Sequence, residues 1–134
     1  MIKILLQRFN SCLIIYFYTP LEYNKIIMII KKTTIFTKKI LTLLPDEDYR
    51  LLQEELVQNP EVGKVIKNSG GIRKVRWGLR HKGKSGGLRV IYYWLISKDQ
   101  IYMLYAYPKS EQENLTDEQL IILKKVVEEE LHHE

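Results

Sequence analysis

Three apolar runs in the second half of the chain follow patterns typical of β-strands. Residues 72–77 mix apolar with basic positions, which alternate from Lys74 to Trp77, whereas residues 88–96 are apolar almost throughout. Continuous apolar character indicates a central strand that is buried on both faces. A third apolar run, residues 101–107, follows the polar segment 97–100. The last two runs predict a β-hairpin, and the three together predict an antiparallel sheet.

The run at 72–77 predicts a strand with two chemically different faces. Because side chains alternate across a strand, Val75 and Trp77 point to one side while Lys74 and Arg76 point to the other. Arg89 stands near the start of the next run, beside a pair of glycines. These three cations are therefore expected at strand positions, where a rigid sheet can hold them.

Two segments carry helical patterns. The first begins after Pro45 with three acidic residues, which suit the positive end of a helix dipole, and ends at Asn59-Pro60. The second begins at Thr116, which forms a capping-box pattern with Gln119 and precedes a long apolar stripe. Both are predicted to be amphipathic helices that cover the sheet.

The β-branched run at 29–36 predicts a first strand. Residues 1–27 are interpreted as an N-terminal extension, since their apolar run at 13–18 is too short for a membrane span and lacks a signal-peptide cleavage site. The alternative is that translation begins at Met28. The chain is thus predicted to be α+β, a single domain over 28–134. Its elements follow the order strand, helix, strands, helix, with about four antiparallel strands and two or three helices against one face.

Charge is distributed very unevenly along the chain. Residues 62–109 carry 11 lysines and arginines against one acid, Asp99, although the net charge of the whole chain is only +5. Both flanks are acidic, with six acids at 45–61 and eight at 110–134. So basic a segment favours a polyanionic partner, which indicates nucleic acid ahead of an acidic protein or a lipid surface.

Few residues are available for disulfide or metal chemistry. Cys12 is the only cysteine and the histidines are His81, His132 and His133. One cysteine excludes an intrachain disulfide and a cysteine-based metal cluster, and it favours a reducing compartment. We expect chemistry without a metal or another cofactor, in the cytoplasm.

Lys74, Arg76, Arg89 and Lys109 are the predicted catalytic residues. Cleavage of an RNA phosphodiester needs a base for the 2′-OH, charge stabilisation at the phosphorane and a proton for the departing 5′-oxygen. Arginine binds phosphate with two parallel hydrogen bonds, and a lysine among other cations has a lowered pKa. The alternative for each is a solvated charge that discourages pairing between sheets.

A second set of residues is predicted to contact RNA without reacting. Most aromatic residues of the two apolar strands are expected in the core, but two tyrosines lie near the proposed cations. The glycine-rich loop at 83–87 lacks the spacing of a nucleotide-binding P-loop. The predicted RNA contacts are Arg73, Lys82, Lys84, Tyr93 and Tyr107.

Several blocks of the chain resemble the HigB-like toxins of the RelE/ParE superfamily. The blocks are SGGIRKVRW (69–77), GKSGGLRVIYYW (83–94) and YPKSE (107–111), joined by LPDEDYR (44–50), Asn59-Pro60 and Leu115-Thr116. The resemblance extends from Met28 to about Leu131. It implies a RelE-like fold and a toxin that enters the 30S ribosomal A site and cleaves mRNA without metal.

The resemblance also implies partners and residue roles. A cognate antitoxin would silence the protein, and their complex would bind operator DNA through the antitoxin, with no membrane involved. Lys74, Arg76 and Arg89 match the functional cations of the family. A later arginine and tyrosine used by some relatives have no clear counterpart, so Lys109, Tyr107 or Glu111, in that order, would supply the general acid.

Two other functions remain compatible with the sequence. One is a ParE-like toxin that poisons a DNA topoisomerase by binding alone, and the other is a non-catalytic basic RNA-binding module. The fold does not separate these from a ribonuclease. The cationic strand face favours the ribonuclease, because a toxin that only binds protein needs no cluster of phosphate-binding charges.

Overall fold

The structure of the chain is a computed structural model, which describes residues 9–18, 25–79 and 83–132, with side chains over 28–78 and 87–132. A short 3-10 turn, Ile96–Lys98, separates the last two strands. The other elements, in chain order, are β1 (Phe9–Tyr18), β2 (Lys25–Thr33), α1 (Thr34–Leu43), α2 (Asp46–Gln58), β3 (Lys64–Val65), β4 (Ile72–Leu79), β5 (Gly83–Leu95), β6 (Gln100–Pro108) and α3 (Asp117–His132).

The strands form one mixed sheet in the order β1-β2-β6-β5-β4-β3. Neighbouring strands are antiparallel except β2 and β6, which are parallel. The α+β class and the β5–β6 hairpin are confirmed. The expectation of about four strands is corrected to six among the described residues, and the purely antiparallel sheet is corrected to a mixed one. Local sequence patterns do not reveal the parallel pair, because its two strands lie far apart along the chain.

The predicted first strand at 29–36 is wrong in its second half. β2 ends at Thr33, whose hydroxyl accepts a hydrogen bond from the backbone N–H of Phe36 at 3.0 Å and donates one to the carbonyl of Leu104 at 2.9 Å. This side chain caps a helix that the β-branched pattern concealed, because a cap overrides strand propensity locally. α1 then buries Phe36 and Ile40.

The other two helices begin where the sequence predicted. α2 starts after Pro45 and ends before Asn59. At the start of α3, the N–H of Thr116 donates to the side-chain oxygen of Gln119 at 2.9 Å, and the N–H of Gln119 donates to the Thr116 hydroxyl at 3.1 Å. The capping box is therefore confirmed. Among the helices of the described residues, none combines the length and the hydropathy that a membrane span needs.

Helices cover both faces of the sheet, which corrects the expectation of a single covered face. Val90 and Ile91 are adjacent on β5, are both fully buried, and belong to different cores. The core under α1 and α2 includes Phe36, Ile40, Leu52, Leu56, Val75, Val90, Ile101 and Met103. The core under α3 includes Ile72, Ile91, Tyr102, Leu104, Tyr105, Tyr107, Leu123 and Val127.

β2 begins at Lys25, before Met28, and its backbone pairs with β1. The division into an extension at 1–27 and a domain at 28–134, and the alternative start at Met28, stay predictions.

Tyr92 ties the connection after α2 to the centre of the sheet. Its hydroxyl donates to the carbonyl of Pro60 at 2.6 Å and accepts from the N–H of Gly63 at 2.8 Å. Gly63 packs so closely that an added Cβ would lie 2.8 Å from the tyrosine ring and hydroxyl. A glycine is therefore required there, and the short strand β3 is held against the sheet.

We expect Tyr92→Phe to lower the free energy of unfolding by about 1–3 kcal/mol, because two buried backbone groups lose their partner. Urea denaturation measures this. Tyr105→Phe is the matched control, since the Tyr105 hydroxyl makes no hydrogen bond to the described residues. Equal losses in both variants would contradict the role assigned to Tyr92.

Candidate active site

The strand register brings two of the predicted catalytic arginines together. Arg76 of β4 lies directly opposite Arg89 of β5, and Arg89 lies opposite Tyr107 of β6. Cross-strand partners point to the same face, so these three residues form one row across the sheet. The row lies on the face that α3 covers, where Tyr107 belongs to the core.

Three of the four predicted catalytic residues line one cavity at the end of this row. Arg76, Arg89 and Lys109 surround a volume of about 260 Å³, together with Trp77, Gly78 and Gly87. The backbone N–H of Lys109 donates to the carbonyl of Gly87 at 3.0 Å, which fixes the exit of β6 beside β5. We refer to this cavity as the arginine cleft.

Arg89 is buried and lacks a full set of partners. Its side chain is 5% exposed, and its Nε has no hydrogen-bond partner. No carboxylate among the described residues pairs with it, in contrast to Arg50 on α2, which bonds to Glu47 at 2.6 Å and Glu54 at 2.5 Å. A buried cation without an acid destabilises a fold. A buried cation that destabilises the fold in this way is typical of sites that bind an anion.

Lys74 belongs to the same cluster of cations. It lies two positions before Arg76 on β4, beside a larger cavity of about 500 Å³ that Arg76 also lines. Its ammonium group donates to the side-chain oxygen of Asn114 at 2.7 Å. Burial lowers the pKa of Lys74, and the positive charges of Arg76 and Arg89 lower it further, while Glu113 opposes the change. Lys74 is thus biased toward losing its proton.

The residues considered for the general acid lie in different surroundings. Lys109 is exposed at the arginine cleft. Glu111 lies 3.7 Å from Lys39 of α1. Tyr107 is fully buried, with its hydroxyl 3.5 Å from the Glu113 carbonyl. Burial raises the pKa of the Tyr107 phenol, and Arg89 opposes the rise.

Two of the predicted RNA contacts, Arg73 and Tyr93, do not line the arginine cleft. Arg73 lies on the opposite face of β4, where its guanidinium donates to the carbonyls of Glu61 at 3.1 Å and Gly63 at 2.8 Å. Tyr93 is half-buried and stacks on Tyr102, with ring centroids 6.0 Å apart.

The other three predicted RNA contacts are Tyr107, Lys82 and Lys84. Tyr107 has no exposed ring face on which a base could stack. Lys82 lies outside the described residues, and Lys84 is described only by its backbone in β5.

Sequence reasoning missed Asn114 and Glu113. They lie in the connection between β6 and α3, which folds back over β4 at Lys74. Nothing in the local pattern marks a polar loop residue as a neighbour of a strand 40 positions earlier. Among the described residues, no three of His, Cys, Asp and Glu lie close enough to hold a metal ion.

A family model described as "RelE toxin of RelE / RelB toxin-antitoxin system" matches residues 30–133. The match runs from within β2 through α3 and includes Lys74, Arg76, Arg89 and Lys109.

Proposed function

This chain belongs to the RelE toxin family and is the toxin of a toxin–antitoxin system; we propose that it is an endoribonuclease that cuts mRNA in the ribosomal A site. The observation that carries the proposal is the arginine cleft, in which the buried, unpaired Arg89 lies beside Arg76 and Lys109. A dianionic phosphorane would be the negatively charged partner that Arg89 lacks among the described residues.

The arginines would stabilise charge as it develops. Attack of a ribose 2′-oxygen on the neighbouring phosphorus adds negative charge to the non-bridging oxygens. Preorganised donors in a partly dry site stabilise such charge far better than water does. Burial holds the Arg89 side chain in place, so it needs little reorganisation as the reaction proceeds. The strand register places Arg76 directly opposite it.

Two lysines would move the protons. Neutral Lys74 accepts the proton of the attacking 2′-OH, and the ammonium of Lys109 donates a proton to the departing 5′-oxygen. The phosphorus–5′-oxygen bond breaks as the phosphorus–2′-oxygen bond forms, which leaves a 2′,3′-cyclic phosphate and a free 5′-OH. The lowered pKa of Lys74 supports its role as the base. The exposed position of Lys109 at the cleft supports its role as the acid.

The proposed partners follow from charge and family. RelE-family toxins pair with an antitoxin, and we propose that the acidic antitoxin neutralises the basic segment 62–109 and carries the complex to operator DNA. On the ribosome the same segment would face mRNA and 30S RNA, with Lys82, Lys84 and Tyr93 as additional contacts. Membership of the HigB-like branch and a cytoplasmic location stay predictions.

Transcript mapping after brief induction tests this function. We expect new mRNA 5′ ends inside coding regions within minutes, and we expect them to vanish when translation initiation is blocked beforehand. Cuts that persist without translation would overturn the dependence on the ribosome. Intact mRNA with DNA breaks would favour a topoisomerase poison, and intact RNA and DNA with RNA binding would favour a non-catalytic module.

A further inference from the structure

We propose that Asn114 is a positioning residue, which holds the amine of Lys74 in the orientation needed for proton transfer. The inference rests on the proposed function, in which Lys74 is the base. Asn114 lies on the connection between β6 and α3 and would not touch RNA itself in this role. Its side-chain oxygen accepts from the Lys74 ammonium at 2.7 Å.

A chain of hydrogen bonds fixes the position of Asn114. The side-chain amide of Gln112 donates to the Asn114 carbonyl at 2.9 Å and to the side-chain oxygen of Gln119 at 2.8 Å. That same Gln119 oxygen accepts from the N–H of Thr116 in the capping box of α3. The backbone of Asn114 is therefore tied to the first turn of a helix that is packed on the core, which places its side chain beside Lys74.

An amide suits a lysine that must gain and lose a proton. The oxygen of Asn114 accepts from the ammonium form, and after a rotation of the amide its NH₂ group can donate to the lone pair of the neutral amine. A carboxylate accepts only, and it would stabilise the ammonium form. An alkyl side chain would leave the amine free to rotate. Asparagine thus holds Lys74 without fixing its protonation state.

The surrounding charges determine how far a substitution shifts the titration of Lys74. β3 places Lys64 directly opposite Lys74, and the same pair of arginines acts from β4 and β5. Only Glu113 of the connection favours the charged amine among the groups that act on it. The charged groups around Lys74 are Lys64, Arg76, Arg89 and Glu113. A second carboxylate there would raise the pKa of Lys74.

The test uses Asn114→Asp and Asn114→Ala in the full chain, with Asn59→Asp as the control. Asn59 is an exposed residue at the end of α2, the helix on the opposite face, so that variant makes the same charge change elsewhere. Two quantities are measured: the titration of Lys74 by NMR of its side chain, and single-turnover cleavage of mRNA on programmed ribosomes as a function of pH.

The carboxylate of Asn114→Asp should shift the pH–rate profile toward higher pH. Because a raised pKa leaves less neutral Lys74 at neutral pH, we expect Asn114→Asp to cleave about tenfold more slowly at pH 7 and to recover as the pH rises, which corresponds to a shift of about one pH unit. Asn114→Ala should cleave about tenfold more slowly at all pH values, with no shift of the profile toward higher pH. In this variant the orientation of the Lys74 amine is lost but no charge is added. Asn59→Asp should leave both measurements unchanged.

The two readouts separate this inference from the proposed function. If wild-type protein does not cleave mRNA but Asn114→Asp displaces the Lys74 titration, the proposed function is overturned while the coupling of Asn114 to Lys74 is supported. If Asn114→Asp titrates like Asn59→Asp, the inference is overturned. It is also overturned if the titration moves and the pH–rate profile of cleavage does not.

Discussion

Replacing Arg89 with methionine is expected to abolish most RNA cleavage and, at the same time, to stabilise the fold. Arg89 is 5% exposed, and its Nε lacks a partner among the described residues. Loss of a preorganised donor at a developing oxyanion slows a reaction by about 100- to 1000-fold. The unbranched methionine fills a similar space without a buried charge, so we expect the free energy of unfolding to rise by about 1 kcal/mol.

Two measurements on the same preparations check this result: single-turnover cleavage on programmed ribosomes, and urea denaturation. Arg50→Met is the matched control, because Arg50 is an exposed arginine paired with two glutamates on α2. It should cleave at the wild-type rate and gain no stability. A variant Arg89→Met that cleaves normally would remove the arginine cleft from the mechanism, whatever its stability.

Arg76→Ala is expected to slow cleavage by about 100-fold and to leave the stability almost unchanged. Arg76 is exposed and lies opposite Arg89 at the cleft. Its removal therefore costs phosphate binding and transition-state stabilisation but little packing. Arg76→Lys should cleave at a rate between those of Arg76→Ala and the wild type, about tenfold below the wild type. A lysine keeps the charge but makes one fewer charged hydrogen bond, worth about 1.5 kcal/mol.

Lys67→Ala separates a local effect from a change in net charge. Lys67 is exposed in the turn before β4 and belongs to the same basic segment, but it does not line the arginine cleft. We expect its loss to weaken association with the ribosome slightly at low salt and to leave the single-turnover rate unchanged. Equal defects in Lys67→Ala and Arg76→Ala would mean that bulk charge alone accounts for the activity.

Local chemistry was enough to predict much of the fold. The apolar runs predicted the β5–β6 hairpin, and the Thr116–Gln119 pattern predicted the start of α3, because each depends on neighbours within a few residues. α1 was missed because the β-branched run conceals its local cap and because the second partner of the capping residue is distant. Thr33 ends a β-branched run by capping a helix and by donating to Leu104, a partner 71 positions away. Only the folded chain brings that partner into range.

The candidate site was predicted residue by residue but not as an arrangement. Lys74 and Arg76 share a face because strands alternate, which the sequence shows. The pairing of Arg76 with Arg89 depends on register, and a slip by one residue would move Arg89 to the other face. The contact of Asn114 with Lys74 depends on how a loop folds back over the sheet. Neither of these two contacts follows from the pattern of residues next to it in the sequence.

β6 has a consequence for the cell that makes the protein. This strand lies between β2 and β5 and contributes to both cores, yet it is the last of the described strands to be synthesised. Until residues 100–103 have been added, β2 lacks its inner neighbour, and both cores lack the side chains that β6 contributes. Pairing between segments so distant along the chain is also slow to form. Arg76 and Arg89 are already translated by then, but the cleft still lacks Lys109. A nascent chain that ends before Lys109 is therefore expected to lack a complete arginine cleft.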